Sequence, residues 1–162
     1  MAAGLSLPED KVEEFRRRLN ENCTLTTEDL TEQIVIDVPM PLDYINEALI
    51  EQLDVLEPFG KGNEKPVFAD KNIGILSMAR IGKNKDMMRL RLKKESGCIM
   101  ESTMFRNCDD FEAFLNEQFS EGEVEKAFRG LPNNISIAIT YYPSINEFRG
   151  NRSLQVNITG YQ

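Results

Sequence analysis

Histidine and tryptophan are absent from the 162 residues, and cysteine occurs only three times. Without histidine the chain cannot form a Ser-His-Asp or Cys-His catalytic site, and it has no imidazole to ligate a metal or to act as a general base. Cys23, Cys98 and Cys108 are odd in number and widely spaced. We therefore expect buried or partly buried free thiols, rather than disulfides or a Cys-x-x-Cys site.

Carboxylate chemistry is the alternative that these absences leave open. The acidic residues mostly recur at helical spacing beside lysine and arginine, which is typical of a solvated helix face. An all-carboxylate metal site stays possible, yet the chain is poorly equipped to be an enzyme by itself.

Long apolar segments are also absent. No run approaches the roughly 18 apolar residues of a membrane-spanning helix, and residues 1–8 lack the basic-then-apolar pattern of a signal peptide. The sequence therefore predicts a cytoplasmic protein with no membrane partner. Its length allows one domain of about 150 residues, or a smaller module with an appendage.

Charge is distributed unevenly along the chain, whose formal net charge is −8. Residues 1–70 carry 6 basic and 16 acidic groups, residues 107–162 carry 4 and 8, and residues 71–106 carry 9 and 3. Because salt screens charges beyond about 8–10 Å, a local basic segment matters more than the total. The middle segment is the plausible place for phosphate binding.

Apolar periodicity predicts helices over 8–20 and 42–56, with an alternating strand over 33–38 between them. A glycine-punctuated joint at 59–63 follows, and we place a domain boundary near 60–66.

After the joint the apolar period changes to two. Four strands are predicted over 67–80, 87–94, 98–105 and 134–142, and a fifth carries Leu154, Val156 and Ile158. A helix with Phe111, Phe114, Leu115 and Phe119 lies between the third and fourth strands. This order predicts a mainly β fold with helices, a five-stranded OB-type barrel preceded by a helical connecting segment. An unrelated α+β sheet with the same element order is the alternative.

OB barrels bind oligonucleotides or oligosaccharides on strands two and three and on the loops between strands one–two and four–five. The candidate nucleic-acid-binding residues of this chain fall at those places. They are Arg80, Lys83 and Lys85 in the first loop, Arg89, Arg91 and Lys93 on strand two, Phe105 and Arg106 at the end of strand three, and Phe148, Arg149 and Arg152 around the last loop.

Each of these assignments has a structural alternative. A solvated strand face also explains Arg89, Arg91 and Lys93, and Phe105 is equally suited to the core. Single-strand binding needs cations along the backbone and rings on which bases stack, and Phe148 in a polar turn suits stacking. Tyr141 and Tyr142 should point to opposite faces of their strand, so at most one of them can reach a ligand.

Several motifs resemble those of RecJ exonucleases. LEPFGKGN at 56–63 with PVF at 66–68 closely resembles the joint before the OB domain of that family, and MAAGLSL with FRRRL, at 1–7 and 15–19, is similar to the end of its DHH-associated domain. Matches to the OB domain itself are IGK at 81–83, LRL at 90–92, NEFRG at 146–150 and SLQ at 153–155. Phe148 stands where members of the family often carry tryptophan.

The resemblance implies a role for the chain. RecJ enzymes comprise a DHH catalytic domain, the DHH-associated domain and an OB domain, and they degrade single-stranded DNA from 5′ to 3′ with Mn²⁺ or Mg²⁺. This chain would be the C-terminal part, with a DHH-associated remnant (1–22), a connecting strand and helix (23–65) and the OB domain (66–162).

The expected partners are single-stranded DNA and the catalytic domain of the same polypeptide. The Asp-His-His motif is absent, so no catalytic or metal-binding residue can be assigned, and we expect no cofactor in this part and no activity from it alone. The alternative is an OB-like protein-interaction or interdomain scaffold without nucleic-acid binding, which the net charge and the acidic segment 107–126 favour.

Overall fold

The computed structural model describes residues 4–26, 29, 34–148 and 150–162, with only the backbone of Phe148. The chain divides into two compact units, Met1–Ile34 and Val35–Gln162. None of the described helices is long and apolar enough to cross a membrane.

The first unit contains one turn of 3-10 helix, Glu9–Lys11, that leads into helix α1, Val12–Glu21. This agrees with the helix predicted over 8–20. No side chain of α1 is buried, so within the unit the helix depends on surface ion pairs such as Arg18 with Glu14 at 2.6 Å. Each such pair contributes only about 0.2–0.5 kcal/mol.

A closed five-stranded barrel dominates the second unit. Its elements in chain order are β1 (Val38–Pro39), a 3-10 turn (Leu42–Tyr44), α2 (Glu47–Asp54), β2 (Phe68–Ile81), β3 (Met87–Lys93), β4 (Ile99–Met104), α3 (Cys108–Phe119), α4 (Glu121–Phe128), β5 (Ser136–Phe148) and β6 (Asn151–Tyr161). The strands follow the order β2-β3-β4-β6-β5, and β5 pairs again with β2. The β4–β6 pairing is parallel and the other barrel pairings are antiparallel. This confirms the predicted OB-type barrel.

Alternation along the strands fills the inside of the barrel. Met88, Leu90 and Leu92 of β3 are fully buried, and the residues between them face outward. Phe111 of α3 and Val124 of α4 join the same buried cluster. The fold thus leaves every second residue of β3 available on the surface.

Two elements before the barrel differ from prediction. The strand expected over 33–38 is only the two-residue β1, which pairs in parallel with Phe68 and Ala69 of β2. Proline at 39 and 41 supplies no N–H to a ladder, which limits its length. Gln33 lies outside the described residues.

The helix expected over 42–56 is divided at Asn46. The backbone of Asn46 is extended, and its side chain accepts a hydrogen bond from the Leu49 N–H at 2.9 Å. An N-cap of this kind starts a new helix, so α2 begins at Glu47.

The region after β4 forms two helices where one was predicted. Ser120, with φ of +79°, ends α3 and precedes α4. Phe111 and Leu115 of the predicted helix are buried as expected, whereas the burial of Val124 and Ala127 belongs to the second helix.

The glycine-punctuated joint lies in the second unit and packs on the barrel. Asn63 donates from Nδ2 to the carbonyls of Leu56 at 2.8 Å and Pro58 at 3.0 Å. Phe59 lies edge-on to Tyr142, with 6.0 Å between ring centroids. The domain boundary near 60–66 stays a prediction.

Tyr141 and Tyr142 are both buried, and the expectation that they point to opposite faces of β5 stays a prediction. The ring of Tyr142 is covered by Phe59 of the joint. The Tyr141 hydroxyl donates to the Met40 carbonyl at 2.7 Å.

Candidate nucleic-acid interface

The outward residues of β3 and β4 form one continuous surface. Arg89, Arg91 and Lys93 are exposed above the buried side of β3. In the antiparallel register they lie opposite Thr103, Glu101 and Ile99 of β4, in that order. We call these six residues the β3–β4 face. It is the surface on which OB barrels bind their ligands.

One ion pair crosses this face. Arg91 Nε lies 3.0 Å from Glu101 Oε1, and both side chains are about half exposed. Exposed pairs of this kind contribute about 0–1 kcal/mol. The pair therefore orients Arg91 without preventing a phosphate from replacing the carboxylate.

The β2–β3 turn places two further cations next to the face. Lys83 and Lys85 are exposed there. Gly82 requires glycine because its φ is +89° and a Cβ would lie 3.0 Å from Asp86 Oδ1. Since Lys85 closes the turn two residues before β3, its charge is near the Arg89 end of the face.

Arg80 has a different environment from the other predicted residues. Its guanidinium contacts Asp109 Oδ1 at 2.8 Å and Glu112 Oε2 at 2.7 Å, both on α3. The hydrogen bond to Glu112 raises the pKa of Arg80. These carboxylates compensate its charge, so Arg80 attaches α3 to the barrel, and its contact with nucleic acid stays a prediction.

Phe105 and Arg106 come directly after β4 and are exposed, and 54% of the surface of Phe105 is accessible. The structure therefore does not place Phe105 in the core. Both residues line a cleft of about 300 Å³ together with the end of β6, 157–161. A ring and a cation beside a small cleft suit one stacked base and its phosphate.

The β5–β6 turn can be assigned only in part. Arg152 is half exposed, and its guanidinium lies 3.8 Å from Glu47 Oε2. The side chain of Phe148 and all of Arg149 lie outside the described residues, so both remain predictions.

The pairing of β4 with β6 extends the face with uncharged polar groups that the sequence does not reveal. Gln155 lies beside Glu101, and Asn157 lies beside Thr103. Both amides donate to Ser144 Oγ at 3.3 Å. Asn157 Oδ1 is buried and has no hydrogen-bond partner among the described residues.

Lys94 continues the basic run after β3 but is not part of the surface. Its ammonium lies 2.9 Å from Asp70 Oδ1, and the two side chains are only 15% and 6% exposed. Asp70 also accepts the Leu42 N–H at 2.9 Å. This buried ion pair attaches the segment before α2 to the barrel.

The cysteines and carboxylates provide no alternative chemistry in the described parts of the chain. Cys98 is partly buried and Cys108 is buried, and burial raises the pKa of each thiol. Cys23 is exposed, contrary to expectation, because it follows α1 in the first unit. No cluster of three acidic or cysteine side chains among the described residues could hold a metal ion, so these residues do not fit the Mn²⁺ or Mg²⁺ of the resemblance.

Known proteins match this chain over nearly its whole length. The single-stranded-DNA-specific exonuclease RecJ of Bacillus subtilis (strain 168) is 29% identical over 160 residues, which are 98% of this chain and 18% of that protein. The RecJ exonucleases of Haemophilus influenzae and Escherichia coli (strain K12) are 29% and 28% identical, and the chain covers 24% of each. The chain therefore spans less than a quarter of the length of these relatives.

Two crystal structures share the fold. Those of RecJ from Thermus thermophilus, in complex with Mg²⁺ and with Mn²⁺, match 97% of this chain with TM-scores of 0.62 and 0.61 at 15% identity. The chain covers 21% and 20% of them. The family model of the RecJ OB domain matches residues 36–160, and the chain accordingly belongs to the RecJ OB domain family.

Proposed function

We propose that this chain is the single-stranded-DNA-binding part of a RecJ-type 5′-to-3′ exonuclease, and that the β3–β4 face holds the strand. The observation that carries the proposal is the exposure of Arg89, Arg91 and Lys93 on one side of one barrel strand. The buried residues between them fix their spacing and direction. A row of cations with this geometry can follow a phosphate backbone.

Local electrostatics support a polyanionic ligand despite the net charge of −8. The acidic residues lie mostly outside the segment that forms the face, and screening limits their effect beyond about 8–10 Å. Phe105 beside the face, together with Phe148, would supply stacking that does not depend on base identity. We therefore expect binding independent of sequence.

In the intact enzyme the barrel would hold the strand and guide its 5′ end toward a catalytic domain. Mn²⁺ or Mg²⁺ would act there, in a process of DNA repair and recombination in the cytoplasm. Since the described residues fit no metal site, the chain alone should leave a labelled single strand intact in the presence of Mn²⁺. Degradation of the single strand by the purified chain would contradict the assignment of catalysis to a separate domain.

Fluorescence titration with oligo-dT tests the binding proposal directly. About three to five cations on the strand predict a slope of log K against log salt of about −2 to −3.5, from about −0.7 per neutralised phosphate. A duplex of equal length is the control and should bind more weakly. Absence of binding, or equal and salt-insensitive binding of both ligands, would overturn the proposal.

A scaffold without nucleic-acid binding is the second candidate. It is favoured by the exposed carboxylates of α3 and α4, among them Asp109, Asp110 and Glu121. Immobilised chain should then retain a protein partner at low salt, and neutralising these three residues should release it. Retention of a partner together with no shift of any oligonucleotide would favour this function over the first.

A further inference from the structure

A second and larger cleft opens at the Lys93 end of the β3–β4 face. Its volume is about 850 Å³, and it is lined by residues 72 and 74–77 of β2, by 91 and 93–95 at and after the end of β3, and by 130–133, 135 and 136 at the start of β5. Ligand pockets of proteins have volumes of about 300–1,000 Å³. We call it the α4–β5 cleft, because the loop between α4 and β5 forms its outer wall.

The outer wall is apolar and well supported. Leu131 and Pro132 are exposed on it, and Leu76 of β2 also lines the cleft. Asn133 donates from Nδ2 to the Ile75 carbonyl at 2.9 Å and accepts the Ile135 N–H at 3.1 Å. The loop is therefore fixed to β2, and the cleft exists before any ligand arrives.

The rim carries the cations of the neighbouring face. Arg91 and Lys93 line both surfaces. Lys94 also lines the cleft, but Asp70 compensates its charge, and Glu95 adds one negative group. An apolar wall beside exposed cations has the complementary chemistry of a nucleotide, a flat weakly polar ring attached to a phosphate.

We infer that the α4–β5 cleft receives one unstacked nucleobase of the strand, with the adjacent phosphates on Arg91 and Lys93. This inference rests on the proposed function, because the face supplies both cations. The row of exposed cations, which continues from Arg91 and Lys93 to Arg89 along β3, favours a strand with regularly spaced phosphates over an acidic peptide. The cleft adds affinity for the base, whereas the β3–β4 face provides affinity for the backbone.

The test compares two ligands of about twelve nucleotides, a length within the range of OB-fold site sizes. One is oligo-dT, and the other is an abasic oligonucleotide of equal length. Leu131→Ala removes part of the apolar wall, and 47% of Leu131 is exposed, so the substitution spares the core. Leu56→Ala is the matched control, because Leu56 is 46% exposed and lines neither cleft.

We expect Leu131→Ala to weaken oligo-dT binding about fivefold, which is the lower end of the range for loss of one base contact. Binding of the abasic oligonucleotide should be unchanged. Leu131→Phe should restore or exceed the wild-type preference for oligo-dT, and Leu56→Ala should change neither affinity.

The failures are distinguishable. If Leu131→Ala weakens binding of both ligands equally, or of neither, the base site is overturned, and the proposal that the β3–β4 face binds the backbone is unaffected. If the wild-type chain binds neither ligand, the proposed function and this inference both fail.

Discussion

Arg91 and Glu101 lie directly opposite each other across β3 and β4, with 3.0 Å between Nε and Oε1, at the middle of the β3–β4 face. A carboxylate at this point repels a phosphate and competes with it for the guanidinium. If the face binds single-stranded DNA as proposed, Glu101 should limit the affinity.

Replacement of Glu101 by glutamine should strengthen single-strand binding about two- to fivefold, because loss of an exposed ion pair is worth up to about 1 kcal/mol. Oligo-dT titration at low salt measures the change. Glu125→Gln is the control, since Glu125 of α4 also forms an exposed ion pair, with Arg129 at 2.8 Å. Equal effects of the two substitutions, or weaker binding in Glu101→Gln, would refute the limiting role.

Replacement of Arg89 by alanine should weaken binding of all single strands alike and reduce the salt slope by about 0.7 unit, the contribution of one phosphate contact on a single strand. Arg89 lies between Thr103 and Ala79 in register and has no carboxylate directly opposite it. Titrations at several salt concentrations give the slope, and Arg129→Ala, just after α4, provides the control. An unchanged slope would remove Arg89 from the interface.

Replacement of Asp70 by asparagine should reduce the free energy of unfolding by about 3 kcal/mol, because it leaves the buried Lys94 ammonium without its counter-charge. Urea denaturation measures the loss, and Glu101→Gln, which breaks an exposed pair, serves as the control with at most about 1 kcal/mol. Asp70→Asn combined with Lys94→Met should recover part of the stability. If the double variant is no more stable than Asp70→Asn alone, the buried charge is not the cause.

Stability should fall above about pH 10, the ordinary pKa of tyrosine. Burial raises the pKa of Tyr141 above that of the unfolded chain, so the phenol's contribution is complete below this pH and is lost as the pH rises toward the folded-state pKa. Tyr141→Phe should make the fall shallower, with a residual slope because burial also raises the pKa of Tyr142 and Tyr161. Urea unfolding between about pH 8 and 11 tests this. A slope identical to wild type would contradict it.

Local alternation was sufficient to predict the exposed cations of β3, because burial of Met88, Leu90 and Leu92 determines where the residues between them point. The strand pairs that close the barrel could be predicted only from the order of helices and strands along the chain. The parallel pairing of Glu101 with Gln155 joins strands 54 positions apart in the chain, and no local pattern encodes it.

The residues that the sequence left open depend on contacts that no local pattern specifies. The register of β4 depended on a turn whose geometry the sequence does not specify. Arg80 differs because its charge is compensated by α3, 29 to 32 positions later. Apolar periodicity indicates which side of a strand is buried, whereas a charged residue in the sequence does not indicate which residue it will pair with.

The pairing of β4 with β6 involves only the three positions Glu101–Thr103 against Gln155–Asn157, fewer than any other barrel pairing described. Short parallel ladders are the least stable, and transient openings begin where few backbone hydrogen bonds must break. Local opening of the barrel should therefore begin at the β4–β6 pairing, directly beside Glu101. A bound strand lying across the adjacent surface would suppress it and slow amide hydrogen exchange there.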